Sequence, residues 1–149
     1  MGPSRGPVPA AAERPAGVCG ADMDTRATIL IVEDEPALRR FLELLLRRGG
    51  YDVSLAQDGV EALARAEEAT PALVLLDLML PRMDGLEVCR RLRARPETGA
   101  VPIFILTARA SAEAKEESLA AGADEFILKP YNPQDLMKRI HDRLQGASD

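Results

Sequence analysis

Ala72-Leu73-Val74-Leu75-Leu76-Asp77-Leu78-Met79-Leu80-Pro81-Arg82-Met83-Asp84-Gly85 is the stretch on which the reading of this chain turns. Its first five residues are apolar without alternation, as in a strand buried on both faces. That strand would end on one carboxylate, Asp77. Upstream, Ile29-Leu30-Ile31-Val32 delivers the acidic trio Glu33-Asp34-Glu35 in the same manner. In open α/β sheets, ligands bind in the crevice outside the carboxyl ends of the strands. Two carboxylate clusters brought there repel each other unless a cation or a proton intervenes. Hard oxygen donors of this kind suit Mg²⁺, which works with a few carboxylates plus phosphate oxygens. A carboxylate that meets Mg²⁺ and a phosphoryl group is either a ligand or the nucleophile itself.

Working outward, the same alternation of apolar run and helical pattern repeats. Strands are expected at 28–33, 51–56, 72–77, 102–107 and 124–128. In the first helix, Leu38, Phe41, Leu42 and Leu45 share a face, with Pro36 near the first helical position behind an Asp34/Glu35 cap. The second opens at Asp58-Gly59 and places Val60, Leu63 and Ala64 together. The third opens at Asp84-Gly85 and aligns Leu86, Cys89 and Leu92. The fourth, Ser111 to Ala121, is thinly apolar, with Leu119 its one large apolar residue. The fifth opens at Asn132-Pro133 and aligns Leu136, Met137, Ile140 and Leu144. Gly49-Gly50 and Gly122 stand where C-cap glycines end helices. Five βα units imply a doubly wound α/β fold: a five-stranded parallel sheet with right-handed crossovers and five helices on its two faces. In the flavodoxin-like strand order 2-1-3-4-5, Glu33, Asp34 and Asp77 converge on one crevice, with Thr107 and Lys129 on the same rim.

The bulk numbers bound the function. A chain of 149 residues holds one domain with a single sizeable core. The net charge of −5 offers no basic field for nucleic acid or anionic lipid. The run Arg90-Arg91-Leu92-Arg93-Ala94-Arg95 reads as a solvated helix face. Cys19 and Cys89 suggest no disulfide framework, and Cys89 reads as a half-buried structural thiol. No apolar stretch approaches the ~20 residues of a membrane span, and no signal-peptide core is present. A cytoplasmic protein is expected. Residues 1–25, rich in proline, alanine and glycine, read as a disordered tail preceding a domain at 26–146. That tail is either an extension upstream of Met23 or a genuine linker.

Each site residue alone has a bland reading. An acidic run after a strand commonly just favours a helix N-terminus, and a lone aspartate there is commonly a cap. Coincidence changes the odds. Carboxylates end strands one and three, a hydroxyl ends strand four and an ammonium ends strand five. Together they supply a metal site, a nucleophile and two partners for phosphate oxygens.

The sequence resembles a response-regulator receiver domain of two-component signalling over residues 28–144. The resemblance is carried by Ile31-Val32-Glu33-Asp34-Glu35-Pro36, Leu76-Asp77-Leu78-Met79-Leu80-Pro81-Arg82-Met83-Asp84-Gly85, Leu106-Thr107-Ala108, and Gly122-Ala123-Asp124 leading to Leu128-Lys129-Pro130-Tyr131. It implies that Asp77 is phosphorylated and that Glu33, Asp34 and Asp77 bind Mg²⁺ with the backbone carbonyl of Met79. It further implies that Thr107, Ala108 and Lys129 hold the phosphoryl group, that Phe126 swings inward when Thr107 moves, and that Lys129-Pro130 is cis. The implied partners are a histidine kinase or phosphotransfer protein and a downstream protein bound by the helix 4–strand 5–helix 5 surface. A homodimer stays open; direct contact with nucleic acid or membrane is not expected, nor is an enzyme acting on a second substrate. Two alternatives stand beside this reading: a receiver-like interaction module indifferent to phosphate, and a receiver fragment of a larger transcriptional regulator or hybrid kinase. The chain ends about where the fifth helix should, which leaves no room here for an output domain. A flavin protein is disfavoured because Glu33-Asp34-Glu35 would repel its phosphate. Met79 and Arg109 follow Asp77 and Thr107 by two positions and are expected to tune the lifetime of an aspartyl phosphate, toward a slow switch.

Overall fold

Each apolar run forms a strand and each helical pattern a helix. In the computed structural model, which describes residues 26–147, the order is β1 (Thr28–Val32), α1 (Pro36–Arg48), β2 (Asp52–Ala56), α2 (Gly59–Glu68), β3 (Leu73–Leu76), α3 (Gly85–Ala94), β4 (Ile103–Thr107), α4 (Ala112–Ala120), β5 (Glu125–Leu128) and α5 (Pro133–Ala147). The segment 1–25, expected as a tail, and Cys19 lie outside the described residues. All strand pairs are parallel in the order β2-β1-β3-β4-β5, the doubly wound arrangement expected. No helix among the described residues is long and apolar enough to cross a membrane.

Successive strand residues point to opposite faces, so one sheet feeds two cores. Ile29, Ile31, Leu73, Leu75, Phe104 and Leu106 pack under α1 and α5 against Leu42, Leu46, Leu136 and Ile140. Leu30, Val32, Val74, Leu76, Ile103 and Ile105 pack on the other side against Ala62, Ala66, Val88, Cys89 and Leu92. The continuous apolar runs are therefore strands covered on both sides, as their lack of alternation required. The register Val32↔Leu76 keeps the ends of β1 and β3 level.

Several helix faces differ from the sequence expectation. On α1, Leu42 and Leu46 are buried, whereas Leu38 and Phe41 are 39% and 44% exposed. The first turns of α1 face the chain after β5 rather than the sheet, and Leu38 and Phe41 line a hollow with Pro130, Tyr131 and Pro133. On α2, Gly59, Ala62 and Ala66 face inward, and Val60 and Ala64 are exposed. This helix lies close: a Cβ on Gly59 would sit 2.7 Å from Met83 Cβ and Val88 Cγ2. On α4, Ala114 and Ser118 are buried and Leu119 is exposed. Glu35 is the N-cap of α1 but its side chain makes no capping bond. Cys89 is fully buried.

The arginine run divides. Arg90 and Arg91 pair with Glu87 in solvent, as expected. Arg93 instead turns inward. Its guanidinium donates to the carbonyls of Gly122 (2.9 Å), Val101 (2.6 Å), Gly99 (3.3 Å) and Thr98 (3.4 Å), and to Asp124 Oδ2 (2.8 Å). Asp124 Oδ2 also accepts the Ile103 N–H at 2.8 Å. One planar fork thus ties the end of α3, the loop before β4, the end of α4 and the start of β5. Gly122 fits this closure twice over: its φ is +111°, and a Cβ there would lie 2.7 Å from Arg93 Cγ. Arg93→Met keeps the stem and leaves those carbonyls unpaired, so we expect a loss of ~2 kcal/mol. In thermal unfolding this should appear as a drop of about 8 °C. Arg91→Met, which removes only an exposed pair, should shift the midpoint by under ~2 °C.

Candidate functional site

Three strand ends build the site. The β1 ladder runs one residue past the strand, with the Glu33 N–H on the Ala56 carbonyl at 3.0 Å, and the Asp77 N–H continues β3 onto the Val32 carbonyl at 3.1 Å. Glu33 and Asp77 are therefore held at neighbouring strand ends, 2% and 8% exposed. Asp34, one residue further, is exposed. Carboxylate oxygens of Glu33, Asp34 and Asp77 lie within 4.8 Å of one another. From the end of β5, Lys129 Nζ reaches Glu33 Oε1 at 2.8 Å and Asp77 Oδ2 at 3.1 Å. The other Asp77 oxygen, Oδ1, accepts the Met79 N–H at 3.1 Å. Each oxygen of Asp77 thus accepts one hydrogen bond, which fixes the plane of its carboxylate and leaves lone pairs on both.

The turn that follows needs Gly85. A Cβ there would press on the Asp77 carbonyl and lie 2.7 Å from Leu78 Cα, while the Gly85 N–H bonds the Leu78 carbonyl at 3.0 Å. Only a bare Cα lets α3 begin against the strand end that carries Asp77.

Electrostatics match this crowding. Burial pushes the Glu33 carboxyl above its ordinary value, and the Lys129 ammonium only partly opposes that. Burial alone would depress the Lys129 ammonium, but the Glu33 and Asp77 carboxylates outweigh it and hold it above its usual value. One ammonium shared between two buried carboxylates, with a third carboxylate alongside, leaves the trio short of positive charge. A small hard divalent cation suits such an oxygen set.

The remaining expected residues lie around this centre. Thr107 ends β4 fully buried, and its Oγ1 accepts the Arg109 N–H at 3.2 Å. Its carbonyl accepts the Lys129 N–H at 2.8 Å. Ala108 and Arg109 are exposed, and Met79 is 60% exposed at the mouth. Phe126, paired with Ile105 in the ladder, is half-buried against the α2–α4 core. It also lines a hollow of about 350 Å³ with Ser111, Lys115, Leu128 and Arg139. The Lys129-Pro130 bond is cis. Sequence reasoning missed two contributors. Tyr131 walls an apolar hollow of about 450 Å³ with Leu38, Phe41, Pro130 and Pro133, bordered by Glu33 and Lys129. Arg39, on the second turn of α1, bonds the Glu33 carbonyl at 2.8 Å and the Asp34 carbonyl at 3.5 Å. Its one visible signal was a cation one turn past an acidic loop.

Known proteins are similar to this chain. The family model described as response regulator receiver domain matches residues 29–141. The DNA-binding response regulator MtrA of Mycolicibacterium smegmatis is 44% identical over 128 residues, which are 85% of this chain and 55% of that protein. The phosphate regulon transcriptional regulatory protein PhoB of Rhizobium meliloti is 44% identical over 119 residues, 80% of this chain and 52% of the relative. The chain thus spans about half the length of these curated relatives. Among solved structures, chemotaxis response regulator CheY4 of Vibrio cholerae superposes with a TM-score of 0.75 at 36% identity, covering 80% of this chain and 99% of that one. The receiver domain of sensor histidine kinase PA1611 from Pseudomonas aeruginosa PAO1, with magnesium coordinated in its active-site cleft, gives 0.74 at 37% identity, covering 82% and 99%.

Mg²⁺ should stabilise the protein by linkage, by ~1.4 kcal/mol at about ten times the dissociation constant. Thermal melts with and without Mg²⁺ measure this. Asp34→Ala should abolish the increment. Lys129→Met should enlarge it, because it removes the cation that already occupies Glu33 and Asp77. An increment that survives Asp34→Ala would contradict the shared site.

Proposed function

This chain belongs to the response regulator receiver domain family, and we propose that it is a phospho-accepting switch in which Asp77 is the acceptor. The observation that carries this is the convergence of Glu33, Asp34, Asp77 and Lys129 at the ends of β1, β3 and β5. Asp77 is the carboxylate held in a fixed plane at the centre of that group. The donor is a phosphohistidine on a histidine kinase or phosphotransfer protein, or a small acyl phosphate, met in the cytoplasm. An Asp77 oxygen attacks phosphorus; as the new P–O bond forms, the P–N bond of the phosphohistidine or the acyl P–O bond of the acyl phosphate breaks, and the imidazole or the carboxylate leaves with that bond's electron pair. Lys129, freed from part of its carboxylate contact, turns its charge to the transferred oxygens. Glu33, Asp34 and Asp77, with the Met79 backbone carbonyl, would hold Mg²⁺, which when bound offsets charge on the phosphoryl oxygens.

Thr107 then turns its hydroxyl to the phosphoryl group, with the Ala108 backbone alongside. Its fully buried position means that β4 moves with it, and Phe126 follows toward the core. The α4–β5–α5 face is thereby biased between two arrangements and presented to a downstream protein or a second copy of the chain. The donor approaches over α1 and the β5–α5 turn, where Leu38, Phe41, Tyr131 and Pro133 give an apolar wall beside Lys129. The chain acts on no second substrate; it is modified and restored at Asp77. DNA binding in the relatives' names belongs to proteins whose length this chain covers by 55%, and residues 26–147 are assigned the switch alone.

Asp77→Asn is nearly isosteric and should keep the fold while abolishing labelling by acetyl phosphate or a kinase. A phosphate-affinity gel reads this directly, and a shifted band of wild-type intensity in the variant would refute the acceptor assignment. Lifetime is the second test. Met79 offers an attacking water no useful hydrogen bond, and Arg109 donates but cannot accept. Slow loss of label is therefore expected after removal of the donor. Met79→Asn with Arg109→Glu should hasten it by about tenfold, equal to ~1.4 kcal/mol off the barrier. Decay within seconds in wild type, or a slower double variant, would overturn the roles given to these two positions.

A further inference from the structure

We propose that Arg39 is a positioning residue that holds the β1–α1 loop so that Glu33 and Asp34 face Asp77; this rests on the metal-assisted reading above. Beyond the Glu33 N–H on the Ala56 carbonyl and Lys129 on the Glu33 carboxylate, the loop has little else to fix it. Between the end of β1 and Pro36 it is three residues long, and its N-cap residue, Glu35, makes no side-chain bond to the helix. The first turn of α1 carries no acidic residue. The remaining side-chain restraint within the loop is Glu33 Oε2 accepting the Glu35 N–H at 3.2 Å. That bond consumes one carboxylate oxygen, and Lys129 takes the other. Any cation entering the site must draw on those same oxygens.

Arg39 grips the loop without touching a carboxylate. Its Nη1 bonds the Glu33 carbonyl at 2.8 Å and stands 3.5 Å from the Asp34 carbonyl. It therefore holds the backbone of Glu33 and Asp34 and leaves their carboxylate oxygens untouched. Lys129 does the opposite, binding the oxygens themselves. Elsewhere on α1, Arg40 and Arg47 bond Glu43 in solvent, so the inward turn of Arg39 is not a general habit of this helix.

Charge and positioning predict effects of opposite sign. If Arg39 acted only through its field, Arg39→Met would tighten Mg²⁺ binding, as loss of a competing cation does. If it positions the loop, Arg39→Met weakens binding despite the more negative site, and Arg39→Lys, which keeps charge but not the planar guanidinium that places Nη1 on the carbonyls, weakens it too. We expect a rise in the Mg²⁺ dissociation constant of about fivefold for Arg39→Met and about threefold for Arg39→Lys, measured by calorimetric titration of the full chain. In metal-free protein, hydrogen exchange at the Glu35 amide should accelerate about tenfold in Arg39→Met, with the amides of β3 and β4 unchanged. Tighter binding in Arg39→Met, or unchanged Glu35 exchange, would overturn the proposal. A wild type that binds no Mg²⁺ would defeat the metal reading itself, and the exchange arm would still decide whether Arg39 holds the loop.

Discussion

Lys129 sharing its ammonium between Glu33 and Asp77 is the contact on which the carboxyl edge of the sheet depends. Two carboxylates on adjacent parallel strands, each under a tenth exposed, would otherwise face each other across a poorly solvated gap. Strand order makes the contact possible and also demanding. β1 and β3 are neighbours, but β5 lies beyond β4, so the cation must reach across the end of β4 to Asp77 and across β3 as well to Glu33. A long flexible stem can do this where a short side chain could not, and the Lys129 N–H on the Thr107 carbonyl anchors its backbone to β4. The hydroxyl of Thr107 and the ammonium of Lys129 are thus brought to the same opening by one ladder. A charge change at Asp77 would reach both together.

The opposite edge of the sheet solves a different problem. There Arg93 satisfies four carbonyls and a carboxylate that itself caps the Ile103 amide. The consequence for α4 is asymmetric. Its C-terminal end is held by Arg93 on Gly122 and by Cys89 Sγ on the Ala121 carbonyl at 3.4 Å. Its N-terminal end has the Ser111 cap and borders the hollow beside Phe126. Its inward face consists of Ala114 and Ser118, which bury little apolar area. Local stability should fall from the anchored end toward Ser111, the end that a displacement begun at Thr107 would reach first.

Much of the fold was legible because its strongest signals are long and unambiguous. Unbroken apolar runs at 29–32 and 73–76 do not fit a half-exposed strand, and a strand covered on both faces requires helices on both sides. The site was legible for a related reason: each chemical residue directly ends such a run, so topology alone brings Glu33, Asp77, Thr107 and Lys129 to one rim. What could not be read depends on geometry that no period encodes. Leu38 and Phe41 keep the helical spacing of core residues, yet their turn overhangs the β5–α5 segment rather than the sheet. Val60 and Ala64 lose their places to Ala62 and Ala66 on a helix that lies close at Gly59, and Leu63 packs against that core half-buried. Arg93 lies in a run indistinguishable in composition from Arg90 and Arg91, and only the fold places backbone carbonyls within its reach.

Arg39, which sequence reasoning passed over, and Arg93, which it read as part of a solvated face, act on main-chain carbonyls rather than on acidic side chains alone, and this explains both their concealment and their use. A carbonyl leaves no mark in a sequence, whereas an acid–base pair at helical spacing does. The choice has an electrostatic logic at the carboxyl edge. A guanidinium bonded to Glu33 or Asp34 through their carboxylates would neutralise the groups that a metal needs, and its bidentate fork would be hard to displace. Directed at the peptide carbonyls, the same cation orders the loop without itself occupying a carboxylate oxygen. Lys129, by contrast, meets the carboxylates as a compact charge on a mobile stem, a contact that can be exchanged. A site that must accept a cation and then a phosphoryl group is better served by one fixed positive charge behind the backbone and one movable charge in front than by two of either kind.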